Sequence, residues 1–252
     1  MTISRRASLA ALVAVFLAFW TALAIHPYDR SDWLLENLLL IVFVAALAAS
    51  HRALPLSRIS YTLVWLFLLL HTVGAHYTYS LVPWADWWQA LTGGAASSME
   101  AGRNHFDRAV HFFYGLLLAY PIREVFLRVA ELRGFWGYFF PLNVTLSTSV
   151  LYELMEWASA EVFGGDLGVA FLGTQGDVWD AQKDMAWAGF GALVAMLITA
   201  ALNYALERDF AREWTDSLRV KRPAPLGEDE LRRLWPARQP ADAAAADPTD
   251  RT

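Results

Sequence analysis

Long apolar runs separated by short polar intervals dominate this chain, and their lengths predict membrane-spanning helices. Six are read, at about 7–25, 33–49, 59–77, 104–122, 135–163 and 185–206. A bilayer core asks for ~20 apolar residues per helical crossing, and each run approaches or exceeds that length. The fourth carries Asp107, Arg108 and His111 inside it, Pro141 bends or delays the fifth, and the sixth is the cleanest. The expected fold class is all-α, a polytopic transmembrane helix bundle filling residues 1–206. The tail, 207–252, extends a helix past Trp214 and then turns charged and rich in Pro and Ala (Arg222-Pro223-Ala224-Pro225, then Ala243 to Ala246). Such a composition cannot bury a core, so the end of the tail is expected to be disordered.

Composition agrees with the pattern. Of 252 residues, 56% are hydrophobic and only 18% charged, against roughly a quarter charged in a soluble domain. There is no cysteine, which excludes disulfides, thiolate ligands and thiol nucleophiles. The first run competes with a signal peptide, because Ala22-Leu23-Ala24 forms a small-x-small cleavage pattern after Arg5 and Arg6. Its length exceeds an ordinary signal core of roughly 7–15 residues, which favours a retained anchor.

Charge orients the bundle. With the amino terminus cytoplasmic, 16 of the 20 basic residues fall on the inner side, and Arg30, Arg103, Arg108 and Lys183 remain outside. Both termini are then cytoplasmic, in a bacterial-type inner membrane. Trp33, Trp84, Trp87, Trp88 and Trp179 gather at outer helix ends, where amphipathic rings favour the headgroup zone. Val82 to Leu91 suits either a short surface helix or a tryptophan-anchored loop.

Acids and histidines collect on the outer half, and ionisable groups at that depth face a bundle interior or a wet cavity. Asn104, Asp107, Arg108 and His111 share one face of the fourth helix by their spacing, Glu153 and Glu156 stand three apart on the fifth, and Asp180 and Asp184 open the sixth. His71 lies about one and a half turns below the outer end of the third. Each has a plain structural alternative. Asp107, Arg108 and His111 suit a hydrogen-bonded set that ties helices together, Glu153 and Glu156 can pair with Arg108 or Lys183, and Asp177 and Asp180 suit a helix amino-terminal cap. His26, His105, Asp29 and Asp32 read as surface groups. Taken together, Asp107, Glu153, Glu156, Asp180 and Asp184 set five carboxylates against two cations, Arg108 and Lys183. A divalent metal (zinc, iron or manganese) would offset the excess, and a mixed His/carboxylate shell suits those ions. The expected ligands are His71, His111, Glu153, Glu156 and Asp180, with Asp184 or Asp107 as base or orienting group. Gly164, Gly165, Gly168, Gly173 and Gly176 predict a flexible loop before the sixth helix.

The strings NHFDRAVHFFYG (Asn104 to Gly115), YELMEW (Tyr152 to Trp157) and GDVWDAQKDM (Gly176 to Met185) resemble the YjdF-like family of bacterial inner-membrane proteins, of unknown function, over about Ile25 to Leu206. A more distant resemblance is to VanZ-like membrane proteins, associated with tolerance of glycopeptide antibiotics. That family's D-[KR]-x-x-H-F pattern is met by Asp107, Arg108, His111 and Phe112. Its E-x-x-Q and D-x-x-x-N patterns are met by Glu153/Glu156 and Asp180/Asp184 with an acid in place of each amide, and Trp187 stands where a glycine is expected. These features imply an outward-facing intramembrane site, with metal-dependent hydrolysis of a lipid-linked or envelope substrate as the first reading. A proton-coupled transporter and a non-catalytic assembly or stabilising protein are the rivals. Membrane lipids are the expected partners, and nothing points to nucleic acid.

Overall fold

The computed structural model describes residues 4–93, 103–163, 174–206, 210–221, 227 and 233–234. Among them the chain is helical: α1 (Arg5–Ala24), α2 (Arg30–Ser50), α3 (Arg58–His76), α4 (Trp84–Thr92), α5 (Phe106–Val129), α6 (Trp136–Phe163), α7 (Asp180–Leu206) and α8 (Phe210–Ser217). The helices begin where the local chemistry directs. Ser4, Asp29 and Ser57 each cap one, accepting backbone N–H groups of the first turn with their side-chain oxygens. The expected segment 82–91 is the short helix α4, and none of its residues is buried.

Five helices (α1, α2, α3, α5 and α7) are long and apolar enough to cross a membrane. The sixth expected span, α6, has the length at 28 residues, but Asn143, Thr145, Ser147, Thr148, Ser149, Glu153 and Glu156 dilute its apolar character. Several of these turn inward: Thr145, Ser149 and Glu153 are buried. Two boundaries differ from the sequence expectation by five residues or more. The fourth run extends seven residues further inward, to Val129, because its polar end finds partners: Glu124 accepts from the Ser57 N–H and Ser60 hydroxyl, and Arg123 lies over the Tyr138 ring. The last run begins at Asp180 rather than 185, so Asp180 and Asp184 both lie on the helix.

Helix α5 is central, packing against α3, α6 and α7, while α1 and α2 pack on α3. The α5/α7 contact is the closest. A Cβ on Gly115 would collide with the Ala188 carbonyl oxygen, and one on Gly191 with that of Phe112. Buried Ala119, Ala188, Ala192 and Ala195 extend the seam. Small residues let two backbones approach where lipid offers no hydrophobic drive for association. At the end of the bundle where α6 begins, Phe210 and Trp214 of α8 pack on the cluster around Tyr138 and Met196, and the Ser217 carbonyl accepts from the Trp136 indole. This compact unit runs through Ser217.

Candidate functional site

The α5/α7 seam brings Asp107 and His111, one turn apart on α5, against Asp184 on α7. Asp107, His111 and Asp184 each offer a donor atom, and the three lie within 4.8 Å of one another. Glu153 arrives from α6, its Oε1 3.5 Å from His111 Nε2, with Asp107 Oδ1 3.7 Å from the same nitrogen. The Tyr152 ring meets the imidazole edge-on, with centroids 5.9 Å apart. Glu153 Oε1 and Asp184 Oδ1 are buried without a hydrogen-bond partner. Among the described residues, no lysine or arginine is ion-paired with Asp107, Glu153 or Asp184.

The cations are used one layer out. Arg103 pairs with Asp180. Arg108 lies 2.5 Å from Asp177 and 3.7 Å from Asp180, and Lys183 lies 2.6 Å from Asp177. The Lys183 ammonium and the Trp179 backbone N–H, both donating to Asp177, hold its carboxyl down at about 2. Arg103 also donates to the Thr174 carbonyl, and Gln175 exchanges two hydrogen bonds with the Asn104 backbone. This network fastens the segment entering α7 to the start of α5. Asp180 is therefore shared by two guanidiniums. The expectation of two nearby cations omitted Arg103, which precedes the helix and gives no periodic signal.

His71 is engaged elsewhere. Its Nε2 donates to the Glu36 carbonyl at 3.2 Å, which leaves Nδ1 to accept from the Tyr79 hydroxyl. Both ring nitrogens are thus occupied as arranged. Glu156 is half-buried one turn beyond Glu153 on α6. Asn104 belongs to the turn before α5, where it donates to the Ser80 and Val82 carbonyls and accepts from Phe106 N–H. Asp29 caps α2, whereas Asp32, expected at the surface, is buried at 2% exposure and joined by buried Glu36. Tyr152 donates to Glu36 at 3.3 Å and links α6 to α2. The i, i+4 spacing of Asp32 and Glu36 at the head of an apolar run was the available signal for a second inward acidic face. The glycines at 164–173 lie outside the described residues; Gly176 adopts a positive φ of 83°.

Below the polar group, a cavity of about 420 Å³ runs between α2, α3, α5 and α6. Its outer end is lined by His71, Tyr79, Asp107, His111 and Tyr152, and its remainder chiefly by aliphatic and aromatic side chains down to Leu47, Leu56 and Val125.

The donor set fits a divalent cation. Donors about 2.0–2.2 Å from one tetrahedral zinc stand about 3.3–3.6 Å apart, so side-chain rotations that draw the 4.8 Å group in by about an ångström would close it around an ion. Residues 8–204 match the family described as "Predicted membrane protein (DUF2238)". The chain belongs to this family. It is 36% identical over 201 residues to "Inner membrane protein YjdF" of Escherichia coli (strain K12), an alignment covering 79% of this chain and 91% of that protein. No solved structure matches. The protein is an integral membrane protein of the inner membrane, in a family without an assigned activity. Both matches agree with the YjdF-like resemblance, and neither carries the VanZ-like one.

Proposed function

We propose that the protein is a metal-dependent hydrolase whose outward-facing site acts on a lipid-linked or envelope substrate. The observation that carries this reading is the convergence of Asp107, His111, Glu153 and Asp184 from three helices, with two buried carboxylate oxygens that accept no hydrogen bond and every nearby lysine and arginine committed to Asp177 and Asp180. Crowded carboxylates in low dielectric require protons or a positive charge in their midst. In this reading Asp107, His111 and Asp184 hold the ion, and Glu153 takes the proton from the attacking water. The sequence reading had placed Glu153 among the ligands and Asp107 and Asp184 as base or orienting groups; proximity favours the exchange of roles. A divalent ion bound here would polarise a substrate oxygen and make water nucleophilic near neutral pH. The apolar inner half of the cavity supports this reading over a transporter, for which a polar path to the inner face is required.

Elemental analysis of protein purified without chelator tests the proposal. Wild type should carry about one divalent ion per chain. His111→Ala and Asp184→Asn should lose it, while Asp180→Asn, whose carboxylate answers arginines, should keep most of it. Wild-type protein that stays metal-free after incubation with zinc, manganese and iron would sink the reading.

A further inference from the structure

We infer that the cavity holds a single long hydrocarbon chain, so that the substrate is a lipid whose chain is longer than one leaflet is deep. For its headgroup end this rests on the hydrolase reading; the chain-binding claim stands apart from it. The volume of about 420 Å³ is many times the ~10–15 Å³ that one water needs by the same measure. Water held there would meet Leu40, Phe43, Val64, Leu118 and Ile122, none of which offers a side-chain hydrogen bond. Close-packed interiors do not leave such space empty either, because the lining atoms forfeit their contacts. Hydrocarbon answers both objections, and the medium around a membrane-spanning protein supplies it.

Shape narrows the class. Asp107 and Val125 line opposite ends of the cavity and stand on one helix, a rise of ~27 Å. A bilayer core is about 30 Å thick, so the space runs through most of it. One leaflet is only half of that thickness, so an occupant that fills the space end to end has a chain longer than a leaflet is deep. A mouth exists as well. The α2 and α6 backbones are not closely packed. They are bridged at the outer end by Tyr152 and Glu36, and below that bridge Thr148, a lining residue bonded to Tyr114, is itself exposed. A chain can therefore enter sideways from lipid while its head stays beside Asp107 and His111.

Two photoactivatable probes test this in reconstituted vesicles: a long-chain prenyl phosphate and a diacyl phospholipid, each carrying a diazirine near its chain end. After irradiation, peptide mapping should find the prenyl probe at Ile122 and Val125 and the diacyl probe mainly on lipid-facing Leu151 and Leu197. Leu118→Trp, or Val64→Phe should that variant fold poorly, should cut the deep prenyl cross-links several-fold and leave metal content unchanged. Absence of deep cross-links from the prenyl probe, or equally deep labelling by the diacyl probe, overturns the inference. Deep prenyl labelling of a metal-free protein would keep the chain site and remove the hydrolase reading.

Discussion

Asp180 is 4% exposed and has two guanidiniums beside it. Either arginine alone can keep its charge compensated, so Arg103→Ala and Arg108→Ala should each be mild, and the double variant should not be their sum. Leaving a buried carboxylate without a partner costs about 3–5 kcal/mol, and that loss should appear only when both arginines are gone. A double-mutant cycle on thermal unfolding in detergent measures it, and strictly additive losses would refute the sharing. Asp177 has its own signature. Its carboxyl is depressed to about 2, so whatever stability it contributes is complete above the unfolded carboxyl range of about 4 and is lost as pH falls through 2. The difference in melting temperature between wild type and Asp177→Asn should therefore be flat between about pH 5 and 8 and shrink below about 4. A difference that changes near pH 6 would mean that another group controls this network.

At the scale of elements, the site depends on how closely two backbones approach. Gly115 on α5 and Gly191 on α7 each face the partner helix's carbonyl oxygens. Gly191→Val forces the helices apart, and overpacking of this kind costs about 1–3 kcal/mol. It should also draw Asp184 away from Asp107 and His111. The expected outcome is a lower melting temperature together with lost metal, whereas Leu197→Ala, on the exposed side of α7, should leave metal content intact. A Gly191→Val protein with full metal content would show that the seam does not set the site. The first helix is likewise part of the bundle: Phe16 is buried, Trp20 donates to Asn37 at 2.6 Å, and His76 donates to the Leu23 carbonyl at 2.7 Å. Cleavage after Ala24 would remove all three, so intact mass should place the mature amino terminus before Ala7.

For the whole molecule, the testable matter is orientation. Three of the four basic residues assigned to the outer side, Arg103, Arg108 and Lys183, are tied to Asp177 and Asp180, which leaves little free positive charge there. At the opposite end Arg5 and Arg128 both donate to the Pro55 carbonyl. The cysteine-free chain permits single cysteines at exposed positions to be labelled by an impermeant maleimide in cells with a permeabilised outer membrane. Gln89→Cys should label and Ala130→Cys should not; the reverse pattern would invert the topology.

The sequence alone determined the class of architecture, because apolar run length answers directly to bilayer thickness and needs no knowledge of which helices touch. It also gathered the acids toward one end of the bundle, since helical periodicity sorts residues on one helix. Relations between helices lay beyond it. Periodicity brought Asp107 and His111 together but says nothing of Asp184, which meets them only because Gly115 and Gly191 let α5 and α7 close. It set Asp180 and His71 beside the others by depth, whereas packing gave Asp180 to Arg103 and Arg108, and His71 to Tyr79 and Glu36. Depth is a one-dimensional property written in the chain; which donor faces which is set by rotation about each helix axis and by approach distance, and both are decided when the helices pack.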